Sequence, residues 1–171
     1  HMWTSITVGF IFAFPFILWE IWKFISPALY EKEKKYAASF IIISSILFFI
    51  GVLFGYYLIA PLSVQFFASY IVSPEISNSI DIDSYMSLMK TSAIASGLLF
   101  ELPIIIFFLT KIGLVTPEFL RKYRKYTLVV VLIVAAVITP PDVLSQIIVT
   151  IPIMILYESS IVIIVLVIKS Q

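Results

Sequence analysis

The chain has 171 residues, 61% of them hydrophobic and only 12% charged, with a net charge of +1. Soluble domains carry about 25% charged and about 45–50% apolar residues, so this chain lacks the polar surface to cover itself in water. That excludes a soluble globular fold. It points to an all-α polytopic transmembrane bundle, a single domain over residues 1–171.

A spanning helix needs about 20 mostly apolar residues, because the hydrocarbon core is about 30 Å thick and each residue rises about 1.5 Å. The pattern predicts five spanning helices: Trp3 to Phe24, Tyr36 to Ala60, Tyr85 to Thr110, Tyr126 to Thr139 and Gln146 to Ile168. His1-Met2 reads as a cloning scar and is set aside; the first apolar stretch has neither the basic start nor the cleavage site of a signal peptide. Pro27 follows Ser26 as at a helix start, and Pro61 is expected to close the second helix. Pro15, Pro103 and Pro152 fall inside apolar stretches, where a bundle tolerates kinks. Loop Ser73–Ser84 is polar and mildly acidic and is expected to cap the helices. Thr116-Pro117-Glu118 has the order N-cap, first helical residue and acidic first turn. The fourth span is short, about 21 Å at helical rise, so basic residues must snorkel or the membrane must thin there. Pro140-Pro141 breaks the helix, and Asp142 stands where the last helix needs an N-cap.

The basic residues are unevenly shared. Lys23, Lys32, Lys34, Lys35, Lys111, Arg121, Lys122, Arg124, Lys125 and Lys169 all fall on one side of the predicted topology. The other side has Glu75, Asp81, Asp83 and Asp142, with Lys90 as its cation. The positive-inside rule makes the basic loops and the C-terminus cytoplasmic and the N-terminus external. Trp19, Trp22 and Tyr30 fit an aromatic belt at the inner interface.

Two carboxylates fall deep within predicted spans, away from their ends. Glu101, in Phe100-Glu101-Leu102-Pro103, lies near the middle of the third, where a carboxylate is expensive and is retained for a function or a specific partner. Its bland alternative is a protonated carboxyl hydrogen-bonded to a neighbouring helix. Lys90 shares its face but is about 16 Å away along the axis, too far for a direct ion pair. Glu158 lies mid-way along the last helix, and functional and structural readings are balanced there. Thr139 and Gln146 flank the turn around Asp142; they either form a polar cluster or serve as ordinary caps, and spacing favours caps. Glu20 and Lys23 are a helical i,i+3 pair contributing about 0.2–0.5 kcal/mol. The run Glu31-Lys32-Glu33-Lys34-Lys35 is most simply a solvated loop, relevant to binding only if a basic ligand docks. Gly51-x-x-x-Gly55 permits close helix approach, within the bundle more readily than between copies.

The sequence has no cysteine, and its one histidine is His1, so disulfides, thiolate metal sites and cysteine nucleophiles are excluded. Ser87-x-x-Lys90 has the spacing of a serine–lysine hydrolase but lacks the companion motifs, and no Gly-rich phosphate loop is present. No enzyme activity, cofactor or nucleic-acid partner is expected.

Five motifs, in order, resemble one family. Phe14-Pro15 followed by Trp22-Lys23-Phe24-Ile25-Ser26-Pro27-Ala28-Leu29-Tyr30-Glu31-Lys32-Glu33-Lys34 resembles the second-helix exit and first cytoplasmic loop of TatC, a subunit of the twin-arginine protein translocase. Phe100-Glu101-Leu102-Pro103 resembles that family's Phe-Glu-hydrophobic-Pro in helix four. Gly113-Leu114-Val115-Thr116-Pro117 with Arg121-Lys122-Tyr123-Arg124-Lys125-Tyr126 resembles its second cytoplasmic loop. Ile138 through Gln146, and Pro152 through Glu158, resemble its last hairpin. The likeness spans residues 5–168. The family has six helices with both ends cytoplasmic; this chain shows five, and lacks the segment corresponding to the family's first helix and its flanks.

The resemblance implies a core receptor and scaffold that binds Arg-Arg signal peptides of folded cargo, with export driven by the protonmotive force. Glu33 would contact the cationic motif, with Phe24, Leu29 and Glu31 close by. Glu101, with Thr139 and Gln146, would face an intramembrane groove and meet TatA-type and TatB-type single-helix subunits, and Asp142 and Glu158 belong to the same candidate set. The expected setting is the bacterial inner membrane, among lipid and as a homo-oligomer in the complex. The alternative from a different class is an ion-coupled secondary transporter using Glu101 and Glu158, which would show inverted repeats.

Overall fold

The fold was obtained as a computed structural model, which describes residues 2–25, 37–69, 81–111, 113–139 and 142–169. Glu31, Glu33, Leu29 and most of the acidic external loop lie outside these residues. Every regular element among the described residues is helical. They are α1 (Met2–Ile25), α2 (Ala37–Phe54), a π-helical turn (Gly55–Ile59), α3 (Ala60–Ser69), α4 (Ile82–Phe100), α5 (Leu102–Lys111), α6 (Pro117–Lys122), α7 (Arg124–Ile138) and α8 (Val143–Lys169). In lipid only helices or closed barrels can satisfy their own backbone, which is why so apolar a chain adopts nothing else.

Among the described residues, four stretches are long and apolar enough to cross a membrane: Met2–Phe24, Ser39–Ser69, Ile82–Lys111 and Val143–Leu166. The fifth expected span is α7, whose 15 residues reach about 22 Å. It is short, as the sequence predicts, and packs along α8.

Pro61 does not close the second helix. The chain stays helical through it to Ser69. A proline lacks an N–H and crowds the carbonyl four residues back. Here the preceding π turn, in which the Ala60 N–H bonds the Gly55 carbonyl, opens the helix at that point. The Ser63 hydroxyl donates to the Ile59 carbonyl at 2.9 Å in the same stretch. Pro103 acts differently: the third span breaks into α4 and α5 at Glu101, whose N–H bonds Leu98 at 3.2 Å in a tighter turn. The external loop also ends earlier than Ser84, since α4 begins at Ile82.

The two expected caps are formed. The Phe119 N–H bonds the Thr116 hydroxyl at 3.2 Å, with Pro117 opening α6. The Ser145 N–H bonds Asp142 Oδ2 at 2.9 Å and its hydroxyl bonds the same oxygen at 3.0 Å. At the end of α5, Gly113 has φ +79°, and Leu114 and Val115 both donate to the Leu109 carbonyl.

Two clusters hold the second half together. Ile59, Val131, Ala135, Val149 and Ile153 join the π turn to α7 and α8. Leu120, Tyr157, Ile161 and Ile164 tie α6 to α8, and the Tyr157 hydroxyl donates to the Leu120 carbonyl at 2.8 Å. The first half rests on α2 against α4, with α1 laid on it through Phe14 stacked on Phe48 at 3.6 Å. Trp22 meets Phe40 at 4.9 Å and Phe40 meets Phe108 at 6.4 Å, which brings the end of α1, the start of α2 and the end of α5 to one end of the bundle. Among the described residues, Lys23, Lys111, Arg121, Lys122, Arg124 and Lys125 therefore gather at that end.

Candidate functional site

The site is built on the seam between α2 and α4. These helices run antiparallel, and small residues let them approach closely. A Cβ on Gly51 would lie 2.7 Å from the Ser96 carbonyl oxygen, and one on Gly55 would lie 2.3 Å from that of Ser92. Gly97 leaves room for Phe48, whose ring a Cβ there would meet at 2.8 Å. The Gly-x-x-x-Gly pair thus serves packing within the bundle. The same register continues one turn further and brings Ser44 opposite Glu101.

Glu101 is buried, 6% exposed, and Ser44 is fully buried. The Ser44 hydroxyl donates to Glu101 Oε2. Oε1 is also buried and makes no hydrogen bond among the described residues. A carboxyl with one oxygen tied and the other unpaired in a membrane interior retains strong capacity for a polar partner. Glu101 therefore faces neither open lipid nor Lys90; it is held by the second spanning helix.

The other expected residues are dispersed into local bonds. The buried Thr139 hydroxyl donates to the Ala135 carbonyl of its own helix at 2.8 Å. Gln146 Nε2 donates across to the Leu132 carbonyl of α7 at 2.8 Å and so clips α7 to α8. Asp142 is an N-cap, and the backbone hydrogen bond from Ser145 holds its carboxyl below the ordinary value. Thr139, Asp142 and Gln146 thus make three separate contacts, and among the described residues no hydrogen bond joins their side chains. Glu158 pairs with Arg124 at 2.6 Å, with 40% and 49% of the two side chains exposed. Phe24 lies exposed near the end of α1. The expected i,i+3 pair is present, with Lys23 bonding Glu20 at 2.8 Å. Among the described residues no three His, Cys, Asp or Glu side chains gather to hold a metal.

Sequence reasoning missed Ser44 and Arg124. Ser44-Ser45 is a polar pair in a span without charge, and that was the available signal. Which of the two serines faces Glu101 depends on helix rotation, and Ser45 bonds its own helix at Ile41.

Residues 1–152 match the family described as "Sec-independent protein translocase protein (TatC)". The chain is 44% identical over 161 residues to a TatC protein of Blattabacterium, covering 94% of this chain and 60% of the relative. It is 43% identical over 156 residues to TatCy of Bacillus subtilis, covering 91% of this chain and 61% of that protein. The chain thus spans about 60% of the length of these relatives. A crystal structure of the twin arginine translocase receptor TatC in DDM superposes with a TM-score of 0.76 at 38% identity, over 93% of this chain and 71% of that one. With a match over most of its length, and in a helical fold shared with a solved member, this integral membrane chain belongs to the TatC family of Sec-independent protein translocase proteins.

Proposed function

We propose that this chain is the receptor and scaffold portion of a twin-arginine translocase, exporting folded proteins at the expense of the protonmotive force. The observation that carries the reading is the family match along residues 1–152, with the Phe-Glu-Leu-Pro motif folded as a buried carboxyl in the bundle interior. Glu33, together with Glu31, Phe24 and Leu29, binds the Arg-Arg motif of a signal peptide; guanidinium groups pair with carboxylates in bidentate geometry that lysine does not reproduce. Glu101 meets a polar group of a TatA-type or TatB-type single-helix subunit, with Thr139 and Gln146 at the outer end of the same region and Asp142 and Glu158 framing the last hairpin. The basic end faces the cytoplasm of a bacterium, by the positive-inside rule, and several copies assemble in the complex.

The pairing of Glu158 with Arg124 favours this reading over an ion-coupled transporter. A half-exposed carboxylate neutralised by arginine is poorly suited to relay ions with Glu101.

The test is photocrosslinking from positions 33 and 146, in a chain extended to the relatives' length. A twin-arginine signal peptide should crosslink at 33, lose most of its yield when its arginines become lysines, and lose it again with Glu33→Lys. TatA-type subunits should crosslink at 146. Equal yields for arginine and lysine peptides, unchanged by Glu33→Lys, would refute the receptor role.

A further inference from the structure

We infer that the corner between α6 and α7 is a binding surface for anionic phospholipid headgroups, built from the exposed cations Arg121, Lys122 and Lys125 beside a strip of aromatic rings.

The corner is made by a break between two helices. Tyr123 ends α6 and opens α7: its N–H bonds the Phe119 carbonyl at 3.1 Å, and its own carbonyl accepts the Tyr126 and Thr127 N–H groups at 3.0 Å. One side of α6 is buried, where Leu120 packs on Tyr157, Ile161 and Ile164 of α8. Phe119, Arg121, Lys122, Tyr123, Lys125 and Tyr126 are all exposed. The rings run together, Phe119 lying 4.4 Å from Tyr123 and Tyr123 lying 5.7 Å from Tyr126. The Lys122 and Lys125 ammonium groups stand 6.0 and 5.1 Å over the rings of Tyr123 and Tyr126. Cations and rings therefore form one continuous exposed surface.

Its charge is not compensated from within. Residues 117–126 carry Arg121, Lys122, Arg124 and Lys125 against a single acid, Glu118. Arg124 is engaged by Glu158 at 2.6 Å. Among the described residues, Arg121, Lys122 and Lys125 have no carboxylate partner. Exposed cations of this kind attract anionic headgroups, and tyrosine rings favour the headgroup level of a bilayer.

The neighbouring helix identifies the occupant as lipid. Because Leu120 packs on α8, α6 stands level with the second half of that helix. The apolar span of α8 continues from Glu158 to Leu166, about 12 Å beyond the Arg124–Glu158 pair. Along that length α8 exposes Val162, Ile163 and Leu166, and no charge intervenes before Lys169. Those side chains need acyl chains around them, while the cations at the same level need anions and water. A phospholipid meets both needs when its headgroup draws in over the α6–α7 corner and its chains run along α8. A headgroup of net negative charge is selected, because a choline headgroup brings its own cation to the site. A soluble acidic partner would meet the cations and leave α8 uncovered.

The experiment uses this chain in phosphatidylcholine vesicles with a trace of photoactivatable lipid, the diazirine being carried on the acyl chain of either phosphatidylglycerol or phosphatidylcholine. Labelled peptides are quantified by mass spectrometry. The ratio of the glycerol probe to the choline probe at residues 114–126 should exceed that at the exposed Phe12 and Phe16 of α1 about tenfold or more. Lys122→Gln and Lys125→Gln should each cut this excess about fivefold, and neutralising Arg121, Lys122 and Lys125 together should abolish it. Lys23→Gln, at the same end of the bundle but paired with Glu20, should leave it in place. Raising salt from about 0.1 M to about 1 M shortens the screening length from about 10 Å to about 3 Å. That should collapse the excess in the unaltered chain, a readout that needs no variant to fold. Equal ratios at the two places overturn the proposal, as does an excess that survives high salt or falls as far with Lys23→Gln as with Lys125→Gln. Binding of soluble polyglutamate to the corner, with both lipid probes labelling it equally, would assign the surface to an acidic protein instead.

Discussion

A Cβ built on Gly55 would lie 2.3 Å from the carbonyl oxygen of Ser92, closer than any real contact of that kind. That single approach, at the entrance to the π turn, sets how closely α2 and α4 pack. Gly55→Ala must push two backbones apart, and overpacking of this sort costs about 1–3 kcal/mol. Gly9 is the control, because a Cβ there meets nothing within 4 Å. Gly9→Ala should be neutral or slightly stabilising, since glycine within a helix is unfavourable by about 0.5–1 kcal/mol. Thermal unfolding in detergent should lower the midpoint for Gly55→Ala and not for Gly9→Ala; equal midpoints would contradict the close-packed seam.

Tyr157 ties α8 to the end of α6. Tyr157→Phe keeps the ring in its cluster but leaves the Leu120 carbonyl without its 2.8 Å bond. An unsatisfied buried acceptor costs about 1–3 kcal/mol. The variant should unfold earlier, and limited proteolysis should cut sooner around Arg121 and Lys122. Unchanged cleavage rates would mean that the hydroxyl contributes nothing to docking α6.

Arg124 opens α7 at the basic end of the bundle, so the half-exposed Arg124–Glu158 pair sits where water screens it. A double-mutant cycle over Arg124→Ala and Glu158→Ala should return a coupling of about 0.2–1 kcal/mol, shrinking as salt is raised. A coupling of several kcal/mol, insensitive to salt, would place the pair in a dry environment instead.

Asp142 predicts a pH dependence of known sign. Its carboxyl is held below the ordinary 3.8 first by the Ser145 backbone hydrogen bond, so folding favours the ionised form. The contribution of this cap is full above 3.8 and is lost as pH falls through the lowered folded value. The difference in unfolding midpoint between wild type and Asp142→Asn, which caps without titrating, should be constant at neutral pH and move against wild type in acid. A difference that stays constant down to the lowest accessible pH would contradict the assignment.

Much of this architecture is local and was legible. Apolar runs marked the spans, Thr116-Pro117 and Asp142 marked helix starts, and the short fourth span showed in its count of apolar residues. The reading failed at Pro61, because whether a proline ends a helix depends on what precedes it, and a π turn cannot be read from Gly-Tyr-Tyr-Leu-Ile. It also left Thr139, Asp142 and Gln146 open between cluster and cap, and local caps and clips account for them.

That this chain lives in lipid, that it is helical, where its basic residues concentrate and which family its motifs match can all be read along the chain, because each follows from composition or from near neighbours in sequence. Which groups meet the carboxylates of the third and last spans follows instead from helix packing: Ser44 for Glu101 and Arg124 for Glu158. Those pairings depend on the rotation and register of helices packed across 57 and 34 residues of sequence. Register of that kind is set by which side chains are small enough to let backbones touch, and no local pattern encodes it.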